Sequence, residues 1–108
     1  MSVEEFKSQI EALRTEYRAQ LPAKRDELDR LWRGLTSGAL KPDRVVELRR
    51  ALHTLAGSAR TFGVAGVSEA AAAAESYLEP FCSRSAIPGP AEQSEFRRLL
   101  DALKQVPS

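Results

Sequence analysis

From Val45 to Phe62, apolar residues recur at three- and four-residue steps without a break, through Leu48, Leu52, Leu55 and Ala59. That spacing keeps all six on one stripe of an α-helix, whereas a strand of period two would scatter them over both faces. A stripe of this length must be buried, so the chain has to supply other helices to cover it. The same period returns on either side of it. Phe6, Ile10, Leu13, Tyr17 and Leu21 are followed in step by Leu28, Leu31, Trp32 and Leu35. Val67, Ala71, Ala74, Leu78 and Phe81 make a third seam, and Phe96, Leu99, Leu100, Leu103 and Val106 a fourth. No segment alternates as a strand would, and the fold class is all-α.

Punctuation residues divide these seams into elements. Ser2 with Glu5 has the spacing of a capping box. Pro22 interrupts the first seam, either kinking a long helix or opening a second one. Ser37-Gly38 should end it, and Pro42 suits the first turn of the next helix. Gly63 can stop that helix in a left-handed conformation. Pro80 falls in the last turn of the third helix, and residues 83–90, with Gly89 between Pro88 and Pro90, form the one evident loop. Helices of similar length, short connections and single stripes pack most economically as an antiparallel four-helix bundle. The expectation is one domain over residues 1–108. Residues 22–106 form the bundle, and an additional N-terminal helical segment, residues 1–21 before Pro22, lies across it or caps it.

Composition narrows the class further. A chain of 108 residues, 43% hydrophobic and 29% charged, can bury a core unaided. One cysteine, Cys82, makes no internal disulfide, and Glu4, Glu5 and Lys7 stand where a signal peptide would be apolar. A cytoplasmic protein is expected. The alanine run from Ala70 to Ala74 is flanked by Glu69 and Glu75, far short of a membrane span, so no membrane partner is expected. A net charge of +1 argues against nucleic acid as a partner. Locally, however, residues 41–60 hold five basic residues against Asp43 and Glu47.

That local charge surrounds the chain's sole histidine. His53 lies beside the buried stripe of its helix, not on it. One residue is about 100° of helix, so Val46, Arg49, His53, Ala56 and Arg60 share a second face, with Arg50 and Gly57 beside it. The face is cationic and nearly free of side chains around Gly57. A metal site is not expected there, because no second histidine exists and Cys82 lies in a distant segment. A cysteine–histidine nucleophile pair lacks support for the same reason.

The run His53-Thr54-Leu55-Ala56-Gly57-Ser58-Ala59-Arg60-Thr61-Phe62-Gly63 resembles the signature of histidine-containing phosphotransfer (HPt) domains, H-x-x-K-G-x-A-x-x-x-G on the second helix of a four-helix bundle. His53, Gly57, Ala59 and Gly63 match, while Ala56 occupies the lysine position. The resemblance implies a phosphocarrier of a two-component phosphorelay, which accepts a phosphoryl group on His53 and exchanges it with the aspartate of a response-regulator receiver domain or a hybrid histidine kinase. Such a domain is a substrate and not an enzyme. It needs no cofactor of its own, the Mg²⁺ that neutralises the transferring group being expected in the receiver.

The chemistry assigns roles to the neighbours. A histidine attacking phosphorus must be neutral, with one ring nitrogen free and the other holding the proton. Glu75 is the expected acceptor for Nδ1–H, since it adjoins Ala74 at the edge of the following helix's seam and some related domains carry a glutamate at this offset. With no lysine at Ala56, phosphate neutralisation falls to Arg60, then Arg49, with Arg50 a third candidate, because guanidinium binds phosphate well. A glycine inside a helix costs about 1 kcal/mol relative to alanine. Gly57, with Ala56 and Val46, is therefore read as the open surface on which a receiver domain docks. A phosphorylation-incompetent HPt-like docking module is the alternative. A third reading is a structural or dimerising bundle that uses the N-terminal segment and an exposed tyrosine or tryptophan, although a monomer is expected rather than a dimer.

Overall fold

The computed structural model describes residues 2–37 and 41–107. It contains four helices, α1 (Val3–Ser37), α2 (Pro42–Thr61), α3 (Ala65–Ser83) and α4 (Pro90–Gln105), and no strand among the described residues. Each helix packs on the next and α1 closes on α4. Cross-contacts fix the directions as antiparallel. Tyr17 meets Ser58 while Leu31 and Leu35 share a groove with Arg44. His53 meets Glu75 while Arg49 meets Glu79, and Arg25 meets the Lys104 carbonyl while Trp32 packs on Phe96.

The core is drawn from the seams read from the sequence, the first of them only from Tyr17 onward. Leu21, Leu28, Trp32 and Leu35 meet Val45, Leu48, Leu52, Leu55 and Ala59, together with Val67, Ala71, Ala74, Leu78, Phe81, Phe96, Leu100 and Leu103, all buried.

Of the two alternatives at Pro22, a single long helix is the one observed: α1 runs through it for 35 residues, and no second helix starts there. Pro22 is exposed, so the carbonyl freed four residues earlier can be hydrated. Tyr17 and Leu21 are buried within the bundle, so the part of α1 before Pro22 is not a separate segment. At 1.5 Å per residue α1 spans about 52 Å, against about 30 Å for α2. The molecule is accordingly elongated, 54 × 23 × 18 Å, and the start of α1 projects beyond its partners. Val3, Phe6 and Leu13 of that projection are exposed. Tyr17 and Trp32 are not: both are buried, and Tyr17 stacks on Phe62 with ring centroids 4.7 Å apart.

Capping follows the sequence closely. Ser2 Oγ accepts the Glu5 N–H at 3.1 Å, and Glu92 accepts the Gly89 N–H at the start of α4. Helix α1 is described to Ser37, and Gly38, expected to end it, lies outside the described residues. Gly63 ends α2 at φ 77°. Its N–H bonds the Arg60 carbonyl, and the Val64 N–H bonds that of Ala59 at 2.8 Å, the paired bonds of a Schellman motif. That turn is short, and it folds α3 back along α2 with Val64 near the centre of the reversal.

Candidate functional site

Helices α2 and α3 approach as an antiparallel pair reflected through Val64. Positions 53 and 75, and likewise 49 and 79, lie at equal distances from that residue along the chain, which brings them level. His53 Nδ1 lies 2.8 Å from Glu75 Oε2. One turn earlier on α2, Arg49 Nη1 lies 3.4 Å from the same Oε2 and 3.2 Å from Glu79 Oε1. Two residues one turn apart on α2 thus face two carboxylates one turn apart on α3.

The exposures within this cluster are graded. The Glu75 side chain is 15% exposed, Arg49 25% and His53 73%. The carboxylate sits low between the helices, while the imidazole stands clear of the surface with one nitrogen held. A carboxylate only accepts, so in the neutral ring a hydrogen bond at Nδ1 places the proton there and leaves the lone pair on Nε2. An exposed nitrogen lone pair on an oriented ring is a nucleophile ready for an electrophile brought from outside.

Around the ring the expected neighbours separate. Gly57, one turn on, is exposed, and a Cβ built there meets nothing within 4 Å. No helix packs closely enough to demand a glycine. Ala56 differs from its reading as part of an open notch: it is buried at 6% exposure, and its carbonyl accepts the hydroxyl of buried Ser68 at 2.8 Å. Val46 is half-buried two turns before His53.

The three arginines also part company. Arg49 is engaged by carboxylates of α3. Arg50 points the other way, lining a groove between α1 and α2 with Lys24, Glu27 and Leu28. Arg60 lines a separate depression with Gly63, Ser68, Glu69 and Ala72, seven residues or about 10 Å of helix beyond His53. Neither Arg50 nor Arg60 has an ion pair among the described residues.

Three residues to which the sequence assigned no role make contacts in the structure. Glu79 is the second anchor of Arg49. Cys82 also lies beside Arg49, closer to the site than its place in the chain suggested. Burial pushes its thiol pKa up, against the pull of the Arg49 charge. Ser58 proves to be an interhelix contact, its Oγ 2.6 Å from the Tyr17 hydroxyl. The i, i+4 repeats at 49/53 and 75/79 were the available signal for Glu79, once the reversal is centred on Val64.

Residues 2–106 match the family model of the Hpt domain. The chain belongs to the Hpt family. Neither the curated proteins nor the solved structures gave a match. Hpt domains are histidine phosphotransfer modules of two-component systems, phosphocarriers and not catalysts, and they interact with receiver domains and histidine kinases. Among the described residues no helix is long and apolar enough to cross a membrane, and no three His, Cys, Asp or Glu side chains gather as a metal site.

Proposed function

We propose that His53 is the phosphoryl acceptor and donor of this Hpt domain, reacting through Nε2 with the aspartate of a receiver domain. The observation that carries the reading is the 2.8 Å approach of Nδ1 to Glu75 Oε2 beneath a ring that is 73% exposed. In the forward step the Nε2 lone pair attacks the phosphorus of the receiver's aspartyl phosphate. A P–N bond forms, the P–O bond to the aspartate breaks, and the carboxylate leaves with the bonding pair. The Nδ1 proton stays in place. The ring gains positive charge as the bond forms, and Glu75 faces that charge from 2.8 Å. Return transfer is the same step reversed. Mg²⁺ in the receiver supplies charge neutralisation at the transferring group.

Docking is consistent with the surface around the ring. A helix-interior glycine costs about 1 kcal/mol relative to alanine, and no contact inside this molecule requires one at Gly57. An approaching receiver loop does. Of the cations expected to meet the phosphoryl oxygens, Arg60 suits the role best, since it has no carboxylate partner among the described residues and sits on the same α2–α3 side. Arg50, in the α1–α2 groove, suits it least.

Incubation with ³²P-labelled receiver domains tests this reading. Wild type should take up acid-labile phosphate and His53→Gln none, with an unchanged Tm because the side chain is exposed. A wild-type protein that binds receivers but takes up no label would instead be a docking module. Label persisting in His53→Gln would move the site.

A further inference from the structure

The guanidinium of Arg49, one turn before His53, is already engaged by two carboxylates. Arg49 Nη1 faces Glu75 Oε2 and Glu79 Oε1, both on α3, and its side chain is only 25% exposed. We propose that Arg49 is a positioning residue for phosphoryl transfer: by fixing the Glu75 carboxylate it sets the orientation and tautomer of His53, and it does not bind the phosphoryl oxygens. The proposal rests on the reading of His53 as phosphoryl carrier.

Three features of the cluster support it. The oxygen that Arg49 reaches at 3.4 Å is the same Oε2 that meets Nδ1 at 2.8 Å, so the cation acts on the very atom that orients the ring. Glu79, bound to the same Nη1 at 3.2 Å, gives the guanidinium a second anchor one turn along α3. The cation is therefore held from two sides, and Glu75 in turn from two donors. Guanidinium has only donors and cannot be deprotonated in a protein, so both carboxylates always find it in the same protonation state.

Without Arg49, Glu75 would be a glutamate on a three-torsion side chain with a single partner, itself an exposed ring. Holding such a chain in one rotamer carries an entropic cost that one hydrogen bond barely offsets. The carboxylate would then visit solvent, and the imidazole would be free to rotate and to exchange which nitrogen is protonated. Fewer molecules would present a bare Nε2 outward. Transfer would slow without any change in the fold or in the reacting atoms.

The experiment uses the full chain with phosphoramidate, a small donor that removes any dependence on the cognate receiver. Nε2 attacks phosphorus, the P–N bond to ammonia breaks, and ammonia leaves. Long-range ¹H–¹⁵N spectra of the unphosphorylated protein report the His53 tautomer in parallel. Arg49→Ala should lower the Nδ1–H share and slow labelling by about 2- to 10-fold, the range set by the net worth of one hydrogen bond. Arg49→Lys should recover part of both. Arg49→Ala combined with Glu75→Gln should be no slower than Glu75→Gln alone, because the arginine acts only through the glutamate. If the two losses multiply, Arg49 contacts the phosphoryl group itself and the proposal is overturned. An unchanged tautomer in Arg49→Ala overturns it equally. Should Arg49→Ala lose helicity, Arg49→Gln, which keeps more of the stem, takes its place. A wild type that never labels would sink the carrier reading, while the tautomer shift alone still decides the positioning role.

Discussion

Ala56 and Gly57 are adjacent, both small, and placed in opposite environments. Gly57 is exposed on a helix face with open space where a Cβ would stand, while Ala56 is buried against α3. Gly57→Ala should therefore stabilise the domain by about 0.5–1 kcal/mol, by reducing the freedom of the unfolded chain at a position whose helical backbone alanine accepts. Ala56→Lys should destabilise it by about 1–3 kcal/mol through overpacking, unless the stem snorkels to solvent. Urea denaturation of the two variants measures both signs, and labelling by a phosphorylated receiver should slow for the bulkier Gly57→Leu while its fold survives. The sequence made His53 stand out because a lone histidine beside an apolar seam has a definite helical phase. It could not place Ala56, because alanine has no hydropathy signature of its own and burial at that position is decided by the neighbouring helix. Glu75 was legible as an edge residue, whereas the engagement of Arg49 by Glu75 and Glu79 depends on the α2–α3 register.

At the level of elements, that register is set by one turn. Gly63 at φ 77° closes α2 in a Schellman motif, and the end of α3 repeats the motif with Ser85 at φ 50°. There the Ser85 N–H bonds the Cys82 carbonyl and the Ala86 N–H that of Phe81 at 2.8 Å. A residue with a Cβ pays about 1 kcal/mol to stand in the left-handed region, which glycine enters freely. Ser85→Gly should accordingly raise stability by about 1 kcal/mol, and Gly63→Ala should lower it by at least as much, its Cβ standing 3.5 Å from Arg14 Nε. Thermal melts of the two variants should move in opposite directions, and Gly63→Ala should also disturb the His53–Glu75 pairing that hangs from its turn. The first of these stops was readable because glycine is an obvious signal, while the second was hidden because serine has no compositional mark for φ > 0. Prolines were ambiguous for a related reason. Pro22 and Pro80 both lie inside continuous helices, exposed to solvent, and whether a proline breaks a helix depends on whether the freed carbonyl finds water. The sequence order of residues does not contain that information.

Across the whole molecule, two groups of charged contacts join helices on different sides of the bundle. The α2–α3 side bears the exposed His53 above the largely covered Glu75 and Arg49. On the α1–α4 side Asp29, with its side chain 9% exposed, is surrounded by Arg33 at 2.8 Å, Arg97 at 3.0 Å and Lys104 at 3.3 Å. It ties α1 to the last helix beside the packed rings of Trp32 and Phe96. Burial by itself would push the Asp29 carboxyl up, but the hydrogen bond and charge of Lys104, with Arg33 and Arg97, outweigh it and hold the pKa below its ordinary 3.8. Because the folded pKa is depressed, the unfolded chain binds the proton more readily. The stabilisation is complete above about pH 4, the unfolded value, and is lost as pH falls through the folded one. Asp29→Asn should cost about 1–3 kcal/mol at neutral pH, toward the low end because the three cations remain partly hydrated. It should also flatten the fall of Tm with acid below about pH 4. Fluorescence of Trp32, the only tryptophan, reports the α1–α4 contact directly during the titration. Labelling of His53 by phosphoramidate should proceed at the wild-type rate in the folded Asp29→Asn protein, since none of the residues around the ring touches Asp29. A proportional loss of labelling would mean that the site depends on closure of the whole bundle and not on the α2–α3 pair alone.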